Sequence, residues 1–237
     1  MVESIRQVNP KIKFYQASTS ELYGKVHETP QSETTKFWPR SSYGVAKLYG
    51  HHITINYREA YDMFASTGIL FNHESPMRGE DFVTRKISKG IALWKNDRRP
   101  IILGNLNAKR DWGHAEDFVE GMQLIMNHDK PDDFVLATGI IHTVKEFLEM
   151  TLDYLGIKYY WKGDDCFEET THALISTTDT KHFRPAEVDI LQGNATKAKT
   201  ELGWTHKHDV YSLMVDMVEA DMKRYYKKPF DHPDNTL

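Results

Sequence analysis

The sequence alternates short β-prone runs with amphipathic helical stretches, and this alternation restricts the fold more than any other feature. Residues 11–17 and 67–71 are predicted strands, and the spacing of apolar residues over 43–61 predicts a helix between them. The pattern continues with predicted strands at 101–103, 134–138 and 158–161 and predicted helices at 83–94, 115–126, 143–155 and 213–218. Strands that alternate with helices favour a layered α/β fold with a mostly parallel sheet.

The composition narrows the classes of function. With 237 residues the chain can bury a substantial core, and its net charge of −4, with scattered Lys and Arg, lacks the basic footprint of a nucleic-acid-binding protein. The single cysteine, Cys166, excludes an internal disulfide framework and a cysteine-rich zinc site. No apolar run approaches the ~18 residues of a membrane span. We therefore expect a globular, cytoplasmic protein with no nucleic-acid or membrane partner.

Three further features lead to local expectations. The chain has 12 histidines, but His51 and His52 point to different faces of one helix and the pair in His206-x-His208 lacks a nearby third ligand. Since zinc needs three or four convergent ligands, no metal site is predicted. Thr143 followed by Glu146 predicts a capping box. The segment 163–183 is polar and weakly patterned, which predicts a surface excursion.

The residues that are best suited to catalysis form two groups. Thr19, Ser20 and Glu21 follow a predicted strand, at the edge where ligands bind in open α/β sheets. Tyr43 and Lys47 are one helical turn apart, so a phenol and an ammonium can face one point. An ammonium beside a phenol favours the phenolate, which can then serve as an acid or base near neutral pH. The spacing of Tyr43 and Lys47 alone occurs by chance in many helices, but the preceding hydroxyl-rich loop with its carboxylate strengthens the interpretation.

These two groups resemble the catalytic set of the extended short-chain dehydrogenase/reductase superfamily. Longer strings narrow the resemblance to the GDP-mannose 4,6-dehydratase family, from about Phe14 to about Met217. The strings are Gly68-Ile69-Leu70-Phe71-Asn72-His73-Glu74-Ser75-Pro76, Phe82-Val83-Thr84-Arg85-Lys86, Leu103-Gly104-Asn105, Lys109-Arg110-Asp111-Trp112-Gly113-His114 and Arg184-Pro185-Ala186-Glu187-Val188. Strings of this kind are far more specific than Tyr-x-x-x-Lys.

The resemblance implies a fold and a division into domains. It implies the C-terminal part of a doubly wound, Rossmann-type parallel sheet with a smaller α/β substrate-binding domain. Residues 1–80 are expected to complete the NADP-binding domain with the catalytic motif, and 81–237 mainly to bind the sugar nucleotide, with 114–138 returning to the Rossmann sheet. The family opens with a Gly-rich strand–turn–helix that holds the cofactor pyrophosphate, and no such string occurs in these 237 residues. We therefore expect a truncated chain that binds NADP weakly and is inactive alone.

The resemblance also assigns roles to individual residues. The catalytic residues are Thr19, Ser20, Glu21, Tyr43 and Lys47. NADP is expected to contact Tyr43, Lys47, His73 and Arg78. GDP-mannose is expected to contact Glu21, Asn72, Lys86, Asn105, Arg110, Arg184 and Glu187. Met77 departs from the family pattern, in which many relatives have a second arginine, and this puts the cofactor contacts there in question.

The implied activity is GDP-mannose 4,6-dehydration, an internal NADP-mediated redox cycle with loss of water that leads to GDP-4-keto-6-deoxymannose in the GDP-fucose and deoxysugar pathway. Tyr43 would act at the 4-hydroxyl, and Glu21 first as base at C5 and then as acid at the 6-hydroxyl. Two alternatives remain open: another sugar-nucleotide dehydratase, epimerase or reductase, and a non-catalytic fragment that binds a GDP-sugar or pairs with a complete subunit. The helix over 43–61 resembles the one through which family members dimerise, so a homo-dimer or tetramer is expected.

Overall fold

The computed structural model describes residues 1–182 and 190–228, and these fall into two compact units. The first unit comprises Met1–His73, Arg110–Ile141 and Ala186–Lys207. The second comprises Glu74–Lys109, His142–Pro185 and His208–Leu237. Each unit is therefore built from three separate stretches of chain.

The described residues form seven α-helices and twelve strands. The helices are α1 (Val2–Val8), α2 (Ser42–Tyr61), α3 (Val83–Asp97), α4 (Ala115–Asn127), α5 (Val144–Tyr154), α6 (Thr196–Leu202) and α7 (Val210–Tyr225). The strands are β1 (Phe14–Thr19), β2 (Ala65–Leu70), β3 (Asn72–Glu74), β4 (Ile101–Leu103), β5 (Lys109–Arg110), β6 (Trp112–His114), β7 (Asp133–Leu136), β8 (His142–Thr143), β9 (Tyr159–Lys162), β10 (Asp165–Glu168), β11 (Leu174–Thr178) and β12 (Ile190–Leu191). Within the described part of the chain, no helix is long and apolar enough to cross a lipid bilayer.

The first unit is built on a parallel sheet with the strand order β1–β2–β7. Strand β2 is buried along its whole length, because it lies between two neighbours and carries apolar or small side chains. Ile69, Phe134 and Leu136 are fully buried in the core of this unit. Helix α2 packs against β1 and β2, and α4 packs against β2 and β7. The α/β class and the Rossmann-type parallel sheet predicted from the sequence are thus confirmed.

The second unit combines a four-stranded sheet, in the order β4–β11–β10–β9, with three helices. Strand β11 runs parallel to β4, whereas β10 runs antiparallel to both of its neighbours. Helices α3, α5 and α7 pack against one another, and their apolar faces bury Trp94, Phe147 and Met217 completely. The capping box predicted for α5 is present: Thr143 accepts from the amide of Glu146 at 3.0 Å, and Glu146 accepts from the amide of Thr143 at 2.8 Å.

The interpretation of 163–183 as a surface excursion was wrong. This segment contains β10 and β11, and its residues Cys166 and Ile175 are fully buried. The strands were missed because they contain few apolar side chains among Thr, Ser, Asp and Glu. Such a sequence shows no clear alternation of apolar and polar residues, although its backbone pairs with the neighbouring strands. Burial raises the pKa of the Cys166 thiol to about 12, so this side chain stays protonated.

Helix α2 begins and ends close to where its periodicity predicted, but part of its apolar stripe is exposed. Val45 is 56% and Tyr49 is 71% exposed. The face that packs against the sheet instead carries Gly44, His51 and Thr54, all of them buried. The helix therefore turns small and polar residues toward the sheet of its own unit, and Val45 and Tyr49 outward.

Candidate active site

The carboxyl end of β1 turns directly into a short 3₁₀ helix, Ser20–Leu22. The hydroxyl of Thr19 accepts a hydrogen bond from the amide of Glu21 at 3.3 Å and so caps this turn. Thr19 and Ser20 are buried, and Leu22 anchors the turn in the core with no exposed surface. Glu21 is half-buried at this edge of the sheet, the position expected for a group that meets a ligand.

Helix α2 starts next to this turn because a glycine lets the two backbones approach. The hydroxyl of Ser41 accepts from the amide of Gly44 at 3.0 Å and caps the helix. A Cβ atom at Gly44 would lie only 2.9 Å from the carbonyl oxygen of Glu21, so a larger residue would push the helix away. Tyr43, in the same first turn, is 53% exposed, and its side chain is accessible to a ligand.

Lys47 ties α2 to β1 within the first unit. Its ammonium donates to the carbonyl oxygen of Ala17 at 3.0 Å and lies 5.6 Å from the centroid of the Tyr43 ring. The structure thus brings Lys47, Tyr43 and the turn that holds Glu21 to one end of β1, as their sequence positions suggested. Their catalytic roles stay predictions.

Asn72 and His73 follow β2 in the same unit, at the next strand end. The carbonyl oxygen of Phe71 accepts from Nδ1 of His73 at 2.9 Å, which places the ring proton on Nδ1. The imidazole also stacks on the ring of Phe118, with centroids 5.0 Å apart and planes inclined by 21°. Two contacts therefore fix the orientation of His73.

Arg110 is buried, and the next residue, Asp111, joins two of the three stretches of the first unit. One oxygen of Asp111 accepts from the amide and the hydroxyl of Thr138, at 2.9 and 2.6 Å. The other oxygen accepts from the amides of Gly139 and Gly193, at 2.9 and 3.1 Å. Burial raises the pKa of the Asp111 carboxyl, and the hydrogen bonds from Thr138, Gly193 and Gly139 act in the opposite direction. Asp111 thereby fixes the backbone that carries Arg110.

In the second unit, Arg78 is held by a carboxylate and an aromatic ring. Its Nε lies 3.0 Å from Glu74, and its guanidinium carbon lies 3.5 Å from the centroid of the Phe82 ring. Glu74 is buried and also accepts from the hydroxyl of Thr84 at 2.7 Å. Burial raises the pKa of Glu74 to about 7, against the opposing effects of Arg78 and Thr84.

The other predicted ligand residues have separate positions. Lys86 is half-buried on α3, and the side-chain oxygen of Asn105, in the loop after β4, accepts from the amide of Asn107 at 2.9 Å. Met77, the departure from the family pattern, is 89% exposed. Arg184 and Glu187 lie outside the described residues.

Sequence reasoning gave no role to His51 or to Asp111, although both are buried among hydrogen-bonding groups. Asp111 stands inside one of the quoted strings, but nothing in its spacing shows that four donors converge on it. The usable signal for His51 is its position one turn after Lys47, on the face of a helix that would otherwise be expected to carry apolar residues.

Comparisons with known proteins agree on one family. Residues 1–217 match the sequence profile described as GDP-mannose 4,6 dehydratase. The chain is 52% identical to the GDP-mannose 4,6 dehydratase of Homo sapiens over 223 residues, which are 92% of this chain and 60% of that protein. It is 48% identical to the GDP-mannose 4,6-dehydratase of Sinorhizobium fredii over 229 residues, 94% of this chain and 65% of that protein. The chain thus spans about three fifths of the length of these curated relatives.

Solved structures share the fold at low sequence identity. RMD from Pseudomonas aeruginosa complexed with NADPH superposes with a TM-score of 0.78 at 17% identity, over 94% of this chain and 70% of that one. The dTDP-glucose 4,6-dehydratase of Bacillus anthracis in complex with NAD gives a TM-score of 0.78 at 20% identity, over 95% of this chain and 67% of that one. At these identities the similarity establishes the architecture alone.

Proposed function

The chain belongs to the GDP-mannose 4,6-dehydratase family, and we propose that it carries the acid–base residues and part of the sugar-nucleotide site of that enzyme. The reaction converts GDP-mannose into GDP-4-keto-6-deoxymannose with loss of water. The observation that carries the proposal is the grouping, at one end of β1, of Lys47, Tyr43 and the capped turn that holds Glu21.

Each of these side chains has a distinct task in the proposed reaction. Tyr43 removes the proton of the mannose 4-hydroxyl, and Lys47 stabilises the phenolate electrostatically. Thr19 hydrogen-bonds the reacting 4-oxygen, with Ser20 beside it. Once C4 is a ketone, the C5 proton is acidic and Glu21 removes it. Glu21 then donates a proton to the departing 6-hydroxyl, so one carboxylate works as base and as acid.

NADP is the proposed cofactor, and it supplies a hydride acceptor at C4 and a hydride donor at C6 when bound. The residues present fit its nicotinamide end: Tyr43 is exposed, Lys47 lies beside it, and His73 is fixed by its bond to Phe71. Arg78 is a further proposed contact, because a guanidinium can bind phosphate bidentately. These 237 residues contain no Gly-rich string that would hold the pyrophosphate at a helix N-terminus.

Other side chains are proposed to bind GDP-mannose. Arg110 suits a phosphate group, since its guanidinium is always charged and its backbone is fixed by Asp111. The remaining proposed contacts are Glu21, Asn72, Lys86, Asn105, Arg184 and Glu187. Residues 1–80 are proposed as the cofactor-binding and catalytic part and 81–237 as the main substrate-binding part.

We also propose that the protein is a homo-oligomer that pairs through the outward face of α2. The support is the exposure of Val45 and Tyr49, because an apolar helix face gains free energy when a second copy covers it. The protein is further proposed to be a cytoplasmic enzyme of nucleotide-sugar metabolism in the GDP-fucose branch. The support for the cytoplasm is the single cysteine, Cys166, which is buried and forms no disulfide, as is usual in a reducing compartment.

The test has a binding arm and a reaction arm. The chain is heated with GDP-mannose, dTDP-glucose, CDP-glucose or UDP-glucose, because a ligand that binds the folded state raises the unfolding temperature. GDP-mannose is expected to give the largest shift. For the reaction, the chain receives GDP-mannose, NADP⁺ and a Gly-rich cofactor-binding segment from the human relative, and mass spectrometry should detect a product lighter by one water. A larger shift with dTDP-glucose, or no new product, would overturn the proposal.

A further inference from the structure

A line of buried and half-buried polar side chains runs beneath α2 and connects it to all three strands of the first unit's sheet. Nδ1 of His51, on α2, lies 3.3 Å from the hydroxyl of Ser18 on β1 and 3.1 Å from the hydroxyl of Thr67 on β2. Thr67 donates to Asp133 on β7 at 2.8 Å. Arg58, also on α2, donates to both oxygens of Asp133, at 3.0 and 2.8 Å.

The chemistry of these groups fixes the direction of the hydrogen bonds. Arg58 can only donate and a carboxylate can only accept, so Asp133 accepts from Arg58 and from Thr67. The single hydroxyl proton of Thr67 is used in that bond, and its oxygen must therefore accept from His51. The ring proton of neutral His51 consequently stands on Nδ1.

His51 is neutral at physiological pH. Its pKa is lowered to about 4, chiefly by burial; Asp133 opposes this shift, while His52 and Arg58 contribute to it. The side chain is 3% exposed, and the ring of Phe37 packs edge-on against it at 5.1 Å between centroids. The imidazole therefore has a single orientation and a single proton position.

The contacts of His51 lie beside the proposed catalytic residues. His51 is one helical turn after Lys47 and two after Tyr43, and Ser18 stands between Ala17 and Thr19 on β1. Lys47 donates to the carbonyl oxygen of Ala17, so two neighbouring positions of the strand are held by successive turns of the helix. A shift of the helix by one residue, a rise of about 1.5 Å, would break both contacts.

We propose that His51 is a positioning residue, whose Nδ1–H holds α2 in register with the end of β1 and thereby sets the place of Tyr43 relative to Thr19. His51 does not touch the reacting atoms. Its effect on catalysis rests on the proposed function, whereas its effect on the place of Tyr43 does not.

The first experiment tests the proton position by nitrogen NMR of ¹⁵N-histidine-labelled chain near neutral pH. His51 should show a protonated Nδ1 and an unprotonated Nε2, while exposed His52 reports the tautomer mixture of a solvated ring. In Thr67→Val the nearer acceptor is lost and Ser18 is the remaining partner of Nδ1, so the Nδ1 signal of His51 should shift. A protonated Nε2 in the unmodified chain, or an unchanged spectrum in Thr67→Val, would overturn the direction of the network.

The second experiment tests positioning without any substrate. The ring signals of ¹³C-labelled Tyr43 should move in His51→Leu and return in His51→Asn, whose amide can donate from the place of Nδ1. Ser18→Ala, which removes only the contact to the strand, should move them in the same direction and covers the case in which His51→Leu does not fold. Asn56→Leu, at an exposed position of the same helix, is the control and should leave the signals in place. Unmoved Tyr43 signals in both His51→Leu and Ser18→Ala would overturn the proposal.

The third readout uses the reaction assay. His51→Leu should lower kcat roughly 10- to 100-fold, the effect of a small misplacement of reacting groups, with KM for GDP-mannose unchanged and with recovery in His51→Asn. A rise in KM with an unchanged kcat would show that His51 serves binding instead. If the unmodified protein forms no product, the proposed function fails, and the Tyr43 signals still decide the positioning role.

Discussion

Among single residues, Glu21 is the one whose replacement should separate binding from chemistry. In a complete enzyme that carries this segment, Glu21→Gln removes the base for the C5 proton but keeps the size of the side chain and the capped turn. Exchange of the C5 proton with deuterated solvent should fall to background while GDP-mannose binding stays nearly the same. Glu59→Gln, on the exposed side of α2, is the control. Exchange at the normal rate in Glu21→Gln would remove Glu21 from the mechanism.

Tyr43 gives the second prediction at this scale. Tyr43→Phe takes away the phenolate oxygen that accepts the 4-hydroxyl proton, and turnover should drop by roughly 10²–10⁴-fold, as for the loss of a general base. Tyr49→Phe makes the same chemical change two residues beyond Lys47 on an exposed position, and it should retain normal turnover. The comparison of initial rates for the two variants is the measurement. Equal rates would rule out Tyr43 as the acid–base group.

The buried His51 predicts how stability responds to acid. Its pKa is about 4 in the folded chain and about 6.5 when unfolded, because burial disfavours the imidazolium; Asp133 favours the charged form, and His52 and Arg58 disfavour it. Between these values the unfolded chain binds a proton that the folded chain does not. The contribution is therefore complete above about pH 6.5 and is lost as the pH falls toward 4. Urea unfolding across this range should show a flatter pH dependence in His51→Asn, and an identical slope would contradict the assignment.

Of the elements, α2 makes the most specific prediction, because its outward face carries the exposed apolar side chains of Val45 and Tyr49. Tyr49→Glu places a charge in the proposed contact between two copies and should convert the oligomer to a monomer without changing the helix content. Sedimentation velocity with circular dichroism measures both. Tyr211→Glu, at a 49% exposed tyrosine on α7, is the control and should leave the association unchanged. A Tyr49→Glu variant that remains associated would place the interface elsewhere.

Elements whose apolar residues recur with a clear helical spacing could be predicted from the sequence. Strands with mostly polar side chains, which are defined by backbone pairing, could not. The spacing of apolar residues in α3 and α4 and the cap of α5 at Thr143 gave these helices correctly. Strands β10 and β11 were not predicted, because their polar side chains do not indicate the strand pairing that buries Cys166.

The same limit applies to the candidate site. The pairing of Tyr43 with Lys47 could be predicted, because they are one helical turn apart. Glu21 could be predicted as a site residue from its position after a strand. The bond of Thr67 to Asp133 joins residues 66 positions apart, and no local pattern encodes it. Groups that depend on the fold of the whole unit, such as those around His51 and Asp111, became visible only in the structure.

At the scale of the whole molecule, the residues present predict an unequal affinity for the two proposed ligands. Tyr43, Lys47 and His73 can contact only the nicotinamide end of NADP, and these 237 residues hold no Gly-rich turn for the pyrophosphate. Calorimetry should therefore give similar, weak affinities for NADP and for nicotinamide mononucleotide, and a tighter one for GDP-mannose. NADP binding about 100-fold tighter than the mononucleotide would show that other residues of the chain grip the pyrophosphate.

The Asp111 carboxylate has a consequence for how the chain is made. Its donors come from Thr138, Gly139 and Gly193, and Gly193 is 82 residues further along. During synthesis, Asp111 and Thr138 leave the ribosome well before the last donor, Gly193. Strand β2 can pair with β7 only after residues 74–109 of the other unit have been translated. A nascent chain that stops short of Gly193 leaves this carboxylate with one donor missing and the first unit without its third stretch. Completion of the first unit is thus a late event in synthesis. Until β7 has been made, the free side of β2 is also a strand edge open to wrong partners.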